Sequence, residues 1–174
     1  MTNFPILSLL TFIPLIGALF ILVIRGDEEI VKRNARHVAL WTSSAVFALS
    51  ILLWINFDIS TAEFQFVERR NWMPNFNIFY HVGVDGISVL FVLLTTLLTP
   101  ICVLASWEAI HTRVKEYMIA FLILETMMIG MFVALDIMLF YIFFEAVLLP
   151  MFLIIGIWGG PRGVYASFKL FLYT

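Results

Sequence analysis

Long apolar runs, broken at intervals by short polar stretches, organise this 174-residue chain. A membrane-crossing helix needs about 20 mostly apolar residues. Five runs meet that requirement, at 5–24, 38–55, 87–107, 117–135 and 136–157. The break Trp158-Gly159-Gly160-Pro161-Arg162-Gly163 stops the fifth, because proline removes a backbone donor and glycine weakens a helix. A new apolar pattern starts at about Val164 and reaches Thr174, too short to cross on its own. The pattern predicts an all-α membrane protein, a polytopic helix bundle of five complete spans plus the start of a sixth. It forms a single transmembrane domain over 1–174, and the natural protein is expected to continue. The stretch from Met1 to Pro5 has no basic n-region, so the first run is expected to be a retained helix and not a cleaved signal.

The polar stretches have their own pattern. Residues 25–37 form a charged loop ahead of the second span. The longest extramembrane piece, 56–86, contains Phe64-Gln65-Phe66 and Asn75-Phe76-Asn77-Ile78-Phe79-Tyr80. The period-two alternation, separated around Asn71-Trp72-Met73-Pro74-Asn75, predicts a short external β-hairpin that needs packing partners. Asp85, just before Gly86-Ile87-Ser88, is placed to cap the third span.

Composition makes lipid the solvent for most of the surface. Apolar residues reach 63%, charged residues only 13%, and the mean hydropathy is +1.04. A soluble fold covers itself with about 25% charged residues. The net charge of −2 offers no basic patch for nucleic acid. The one cysteine, Cys102, sits in an apolar run and reads as a buried thiol. With no Cys/His cluster there is no iron–sulfur or zinc site, so any redox chemistry is expected on another chain. Lys and Arg divide eight to two between alternate loops: Arg25, Lys32, Arg33, Arg36, Arg113, Lys115, Arg162 and Lys169 on one side, Arg69 and Arg70 on the other. The positive-inside rule puts the first group in the cytoplasm or mitochondrial matrix and the N-terminus outside. Trp41, Trp54, Trp107, Tyr117 and Trp158 fall near span ends, where aromatic rings settle.

Ionisable groups at depth are the candidates for chemistry, because each is costly there. Two qualify: Glu125 at the centre of the fourth span and Glu145 at the centre of the fifth. Each lies about ten residues from the turn at Leu135–Asp136, so both fall roughly 15 Å from the outer surface. Two carboxyls at one level could form a proton relay. Pro150 cannot donate to the carbonyl of Ala146 and should kink the helix beside Glu145, leaving a polar break. The alternative is that these carboxyls stay protonated and tie helices together. Asp136 reads as a helix cap and Lys169 as a snorkelling interface charge. His37, His81 and His111 fall in loops too far apart to form a ligand set. The glycines from Gly156 to Gly163 follow no strand and do not form a phosphate loop. Met127, Met128 and Met131 read as packing fillers.

Two segments carry a family resemblance: Gly83-Val84-Asp85-Gly86-Ile87-Ser88, and Leu135-Asp136-Ile137-Met138-Leu139-Phe140-Tyr141-Ile142-Phe143-Phe144-Glu145-Ala146-Val147-Leu148-Leu149-Pro150-Met151, followed by Trp158-Gly159-Gly160. They resemble the antiporter-like membrane subunits of respiratory complex I, and within them the branch of chain M and mitochondrial subunit four. Cation/proton antiporter and membrane-bound hydrogenase subunits share parts of the pattern. The resemblance implies a proton-translocating subunit of NADH–quinone oxidoreductase, with roughly fourteen helices, two inverted five-helix repeats and an external N-terminus. It implies that Glu145 matches the family's essential glutamate of helix five, which modulates by pairing a lysine of helix seven, absent from this chain. The segment alone is therefore not expected to pump. Glu125 matches a carboxylate of some members. No cofactor is implied on this chain; NADH, FMN, iron–sulfur clusters and quinone are expected on partner subunits. The implied partners are the other membrane and peripheral subunits of complex I, the lipid bilayer and protons. The implied location is a bacterial inner membrane, with the mitochondrial inner membrane as the alternative.

Overall fold

A computed structural model describes residues 4–174. Six helices and one hairpin follow one another: α1 Ile6–Val23, α2 Glu28–Ile55, β1 Gln65–Met73, β2 Ile78–Val84, α3 Ser88–Ala109, α4 Val114–Val133, α5 Ile137–Trp158 and α6 Gly163–Tyr173. The first five helices are long and apolar enough to cross a membrane. Their ends lie within about three residues of the apolar runs, except in α2. That helix begins ten residues earlier than hydropathy predicts and absorbs most of the expected loop at 25–37. Hydropathy detects burial in lipid, whereas the helix itself needs only backbone bonding and a compatible surface. Here Ala35 and Ala39 pack against Ala18, Ile21 and Val114, and Lys32 pairs with Glu28 one turn away at 2.8 Å. His37 is consequently helical and stands edge-on to Trp107, and His81 lies in β2, so of the three histidines only His111 is in a loop.

The hairpin exists, with its reversal later than the sequence suggests. Asn71, Trp72 and Met73 belong to β1, and a 3₁₀ turn Pro74–Phe76 with Asn77 left-handed at φ 53° makes the corner. A bulge between Gln65 and Glu68, with Phe66 at φ 54°, turns the strand next to Glu68. The partners a lone hairpin needs come from three helices. Glu68 accepts hydrogen bonds from the N–H of Leu7 at 2.9 Å and of Ser8 at 3.2 Å, and from the Ser8 hydroxyl. The Ser8 hydroxyl also meets the Tyr80 hydroxyl at 2.8 Å; burial raises the Tyr80 phenol above its ordinary value. Leu135 leaves the α4–α5 turn to donate to the carbonyl of His81 at 2.8 Å. Gly83 lets that turn approach, since a Cβ there would sit 2.7 Å from Leu135.

The two ends of the bundle satisfy their helix termini differently. At the hairpin end, carboxylates meet helix N-termini: Glu68 at α1, Asp85 at α3 and Asp136 at α5. Asp85 accepts from the N–H of Ser88 at 2.7 Å, and this bond holds its carboxyl below the usual range. Asp136 accepts from Met138 at 2.9 Å and Leu139 at 3.1 Å, the cap expected of it. At the opposite end, cations meet C-termini. Lys115 donates to the carbonyls of Leu22 and Ile24, both at 2.9 Å, and Arg36 donates to Ile110 at 2.8 Å. Both arrangements complement the helix dipole and satisfy terminal backbone groups. The expectations for Met1 and its two neighbours lie outside the described residues.

Candidate functional site

α4 and α5 form an antiparallel hairpin of helices. Glu125 lies eight residues before the end of α4 and Glu145 eight after the start of α5. At 1.5 Å per residue each carboxyl is about 12 Å in from the same end, so the two share a level. They do not share a face. The helices meet where Gly130 receives Phe143, closely enough that a Cβ on Gly130 would sit 2.4 Å from the ring. Glu145 follows Phe143 by two residues, about 200° further round the helix, and is exposed on the far side from α4.

Glu125 has the opposite surroundings. It is 1% exposed and turns toward α3, where Thr95, Thr99 and Cys102 line the same cavity of about 260 Å³. Phe91, Phe121, Met128 and Phe132 make the rest of its wall apolar. Thr99 lines the cavity beside the carboxyl, yet neither carboxyl oxygen completes a hydrogen bond among the described residues. The Thr126 hydroxyl is buried and unpartnered as well. Cys102 is half-buried rather than enclosed, because it lies on the cavity rim. Met128 also borders this space, while Met127 and Met131 pack against the core as expected.

The remaining candidates fall elsewhere. Pro150 is buried within a continuous α5 and cannot bond the carbonyl of Ala146, one turn before it. Lys169 is exposed on α6 beside the rings of Tyr165 and Tyr173, at 5.8 and 6.0 Å. Neither it nor Arg162 forms an ion pair with Glu145, which has no such partner among the described residues. A larger cavity of about 610 Å³ opens at the hairpin end between α1, β1, β2 and α5, lined by Ser8, Phe12, Arg70, Trp72, Tyr80 and Phe143 among others; it reaches neither glutamate. Sequence reasoning named both carboxyls but missed Thr99. The signal was present: Thr95, Thr99 and Ser106 recur at helical spacing on α3.

Residues 34–135 match the family described as NADH-ubiquinone oxidoreductase chain 4, amino terminus. The chain belongs to this family. Residues 134–174 match a second family, described as NADH:quinone oxidoreductase/Mrp antiporter, transmembrane, so Glu125 and Glu145 fall within one match each. Among chain 4 relatives, subunit M of NADH-quinone oxidoreductase from Rhodobacter capsulatus is 54% identical over 97% of this chain and 33% of its own length. NADH-ubiquinone oxidoreductase chain 4 from Marchantia polymorpha is 48% identical over 97% of this chain and 34% of its own. The chain thus spans about a third of the length of these relatives. The fold is shared with a chain of respiratory complex I from Thermus thermophilus, with a TM-score of 0.78 at 22% identity over 96% of this chain and 32% of that one. A chain of an archaeal membrane-bound sulfane sulfur reductase follows, with a TM-score of 0.72 at 19% identity over 98% and 25%.

Proposed function

We propose that this chain forms part of a proton-translocating membrane subunit of NADH–quinone oxidoreductase, in which electron transfer from NADH to quinone drives proton pumping. Glu145 is the proton-handling group and Glu125 an accessory one, with Pro150 supplying the unbonded carbonyl beside Glu145. The observation that carries the reading is Glu145 itself: a carboxyl at mid-depth, exposed on an otherwise apolar face, without an ion-pair partner among the described residues. A charge in that position needs a partner or water from outside this segment. The names of the relatives support complex I as the setting. Redox cofactors and quinone belong, in this reading, to partner subunits. The chain sits in a bacterial inner membrane with its hairpin end and N-terminus outside, as the basic side chains at the other end favour.

A cation/proton antiporter subunit is the second reading, favoured by the family description that names the Mrp antiporter alongside the oxidoreductase. A pure scaffold, with the glutamates as helix glue, fits less well. Glue requires a partner helix, and Glu145 stands exposed on α5 with no ion-pair partner among the described residues. The test is Glu145→Gln in the full-length subunit within its complex. Coupled quinone reduction and pumping should collapse while NADH oxidation by a water-soluble acceptor continues. Wild-type pumping in the assembled variant would remove Glu145 from the proton path.

A further inference from the structure

The Glu125 cavity contains a hydroxyl whose hydrogen bond points the wrong way for a charged carboxylate. Thr99 donates to the carbonyl of Thr95 at 3.0 Å, and Thr95 donates to the carbonyl of Phe91 at 2.8 Å. Both protons are committed to the α3 backbone, so Thr99 presents Glu125 with oxygen lone pairs only. An ionised carboxylate would face those lone pairs across an apolar wall and stay unpaired. A neutral carboxylic acid could donate its O–H to the Thr99 oxygen and complete a chain running from Glu125 through Thr99 to the Thr95 carbonyl. A hydroxyl turns about its C–O bond without moving its oxygen. Turning the Thr99 O–H away from the Thr95 carbonyl frees its hydrogen.

We propose that Thr99 is the positioning residue of Glu125: its hydroxyl accepts from the protonated carboxyl and, after rotating away from Thr95, donates to the ionised one. The proposal rests on the reading of Glu125 as a proton-handling group and supplies what that reading lacks, a partner able to serve both charge states. Thr99 never ionises. It exchanges one hydrogen bond for another, while the proton itself enters or leaves through the cavity that both residues line. Without such a partner, each ionisation of Glu125 would strand a charge in a nearly dry pocket.

The test uses full-length protein in its complex with Glu125→Gln, Thr99→Val, Thr99→Ser and Thr95→Val. Infrared difference spectra identify the C=O stretch of protonated Glu125 as the band lost in Glu125→Gln. Thr99→Val keeps the side-chain shape but removes the hydroxyl; it should move that band to higher frequency and lower pumping several-fold toward the Glu125→Gln level. Thr99→Ser should restore both, and Thr95→Val should leave the band in place. If Thr99→Val does not assemble, Thr99→Ala read by the same band takes its place. An unmoved band with wild-type pumping in the hydroxyl-free variant overturns the role of Thr99, as does the absence of any band removed by Glu125→Gln. Wild-type pumping in Glu125→Gln sinks the proton reading of Glu125 instead, while the band still reports whether Thr99 holds its carboxyl.

Discussion

Glu125 and Glu145 occupy one level of one helical hairpin and have little else in common. Glu125 is enclosed between α3 and α4, in a largely apolar cavity that Thr95 and Thr99 also line. Glu145 stands on the outer face of α5, open to whatever packs there. The contact that separates them is Gly130 against Phe143, which fixes the rotation of α5 and sends Glu145 away from its neighbour. The lesson is that depth is written in residue counts, whereas facing is written in packing. A direct relay between the two carboxyls does not follow from their common level, and the proposed roles are separate: one carboxyl with an internal partner, one awaiting an external partner.

The largest effect tests that separation in function. Glu145→Gln should lower coupled turnover about a hundredfold, the low end of what losing a proton-transfer group costs, and by clearly more than Glu125→Gln. Equal losses, measured as pumping per assembled complex, would break the asymmetry. The next effect is on stability. A buried hydrogen bond is worth about 1 kcal/mol, so Glu125→Leu, which removes the proposed bond to Thr99, should lower the unfolding midpoint of the purified complex as well as impairing pumping. A raised midpoint would mean that the carboxyl is unpaired and would count against the bond to Thr99.

Two smaller effects concern the hairpin end. Removing the cap from α1 by Glu68→Ala should cost about 1–2 kcal/mol and loosen the hairpin, seen as faster amide exchange in β1 with pumping nearly intact. Asp85 contributes least. Its folded value lies below the usual carboxylate range, held there by the Ser88 N–H. The stabilisation is therefore complete above the unfolded value of about 4 and fades as pH falls through the lower folded value. An Asp85→Asn variant should lose that acid dependence, visible as a flatter midpoint-versus-pH curve below pH 4.

Much of this arrangement was legible in the sequence because membrane solvation imposes a strong pattern. The five spans, the hairpin, the caps at Asp85 and Asp136 and the level of both glutamates all follow from apolar run length, alternation and position. What the sequence concealed depends on tertiary contacts. The early start of α2 rests on Ala35 and Ala39 packing against α1 and α4. Glu68 reads as an ordinary strand residue until the bulge aims it at Leu7 and Ser8. The divergence of the two carboxyls depends on one glycine and one ring, and nothing in the local sequence of α4 states that Gly130 is where α5 docks.

The separation of Glu125 from Glu145 can be measured by proximity. In a Cys102→Ser background of the full-length membrane protein, cysteine pairs are introduced at positions 125 and 145, 99 and 125, and 130 and 143, and exposed to a short thiol cross-linker. The structure predicts that the 99/125 and 130/143 pairs link and that 125/145 does not. Efficient linking of 125/145 with none at 99/125 would put the two carboxyls face to face and contradict the account.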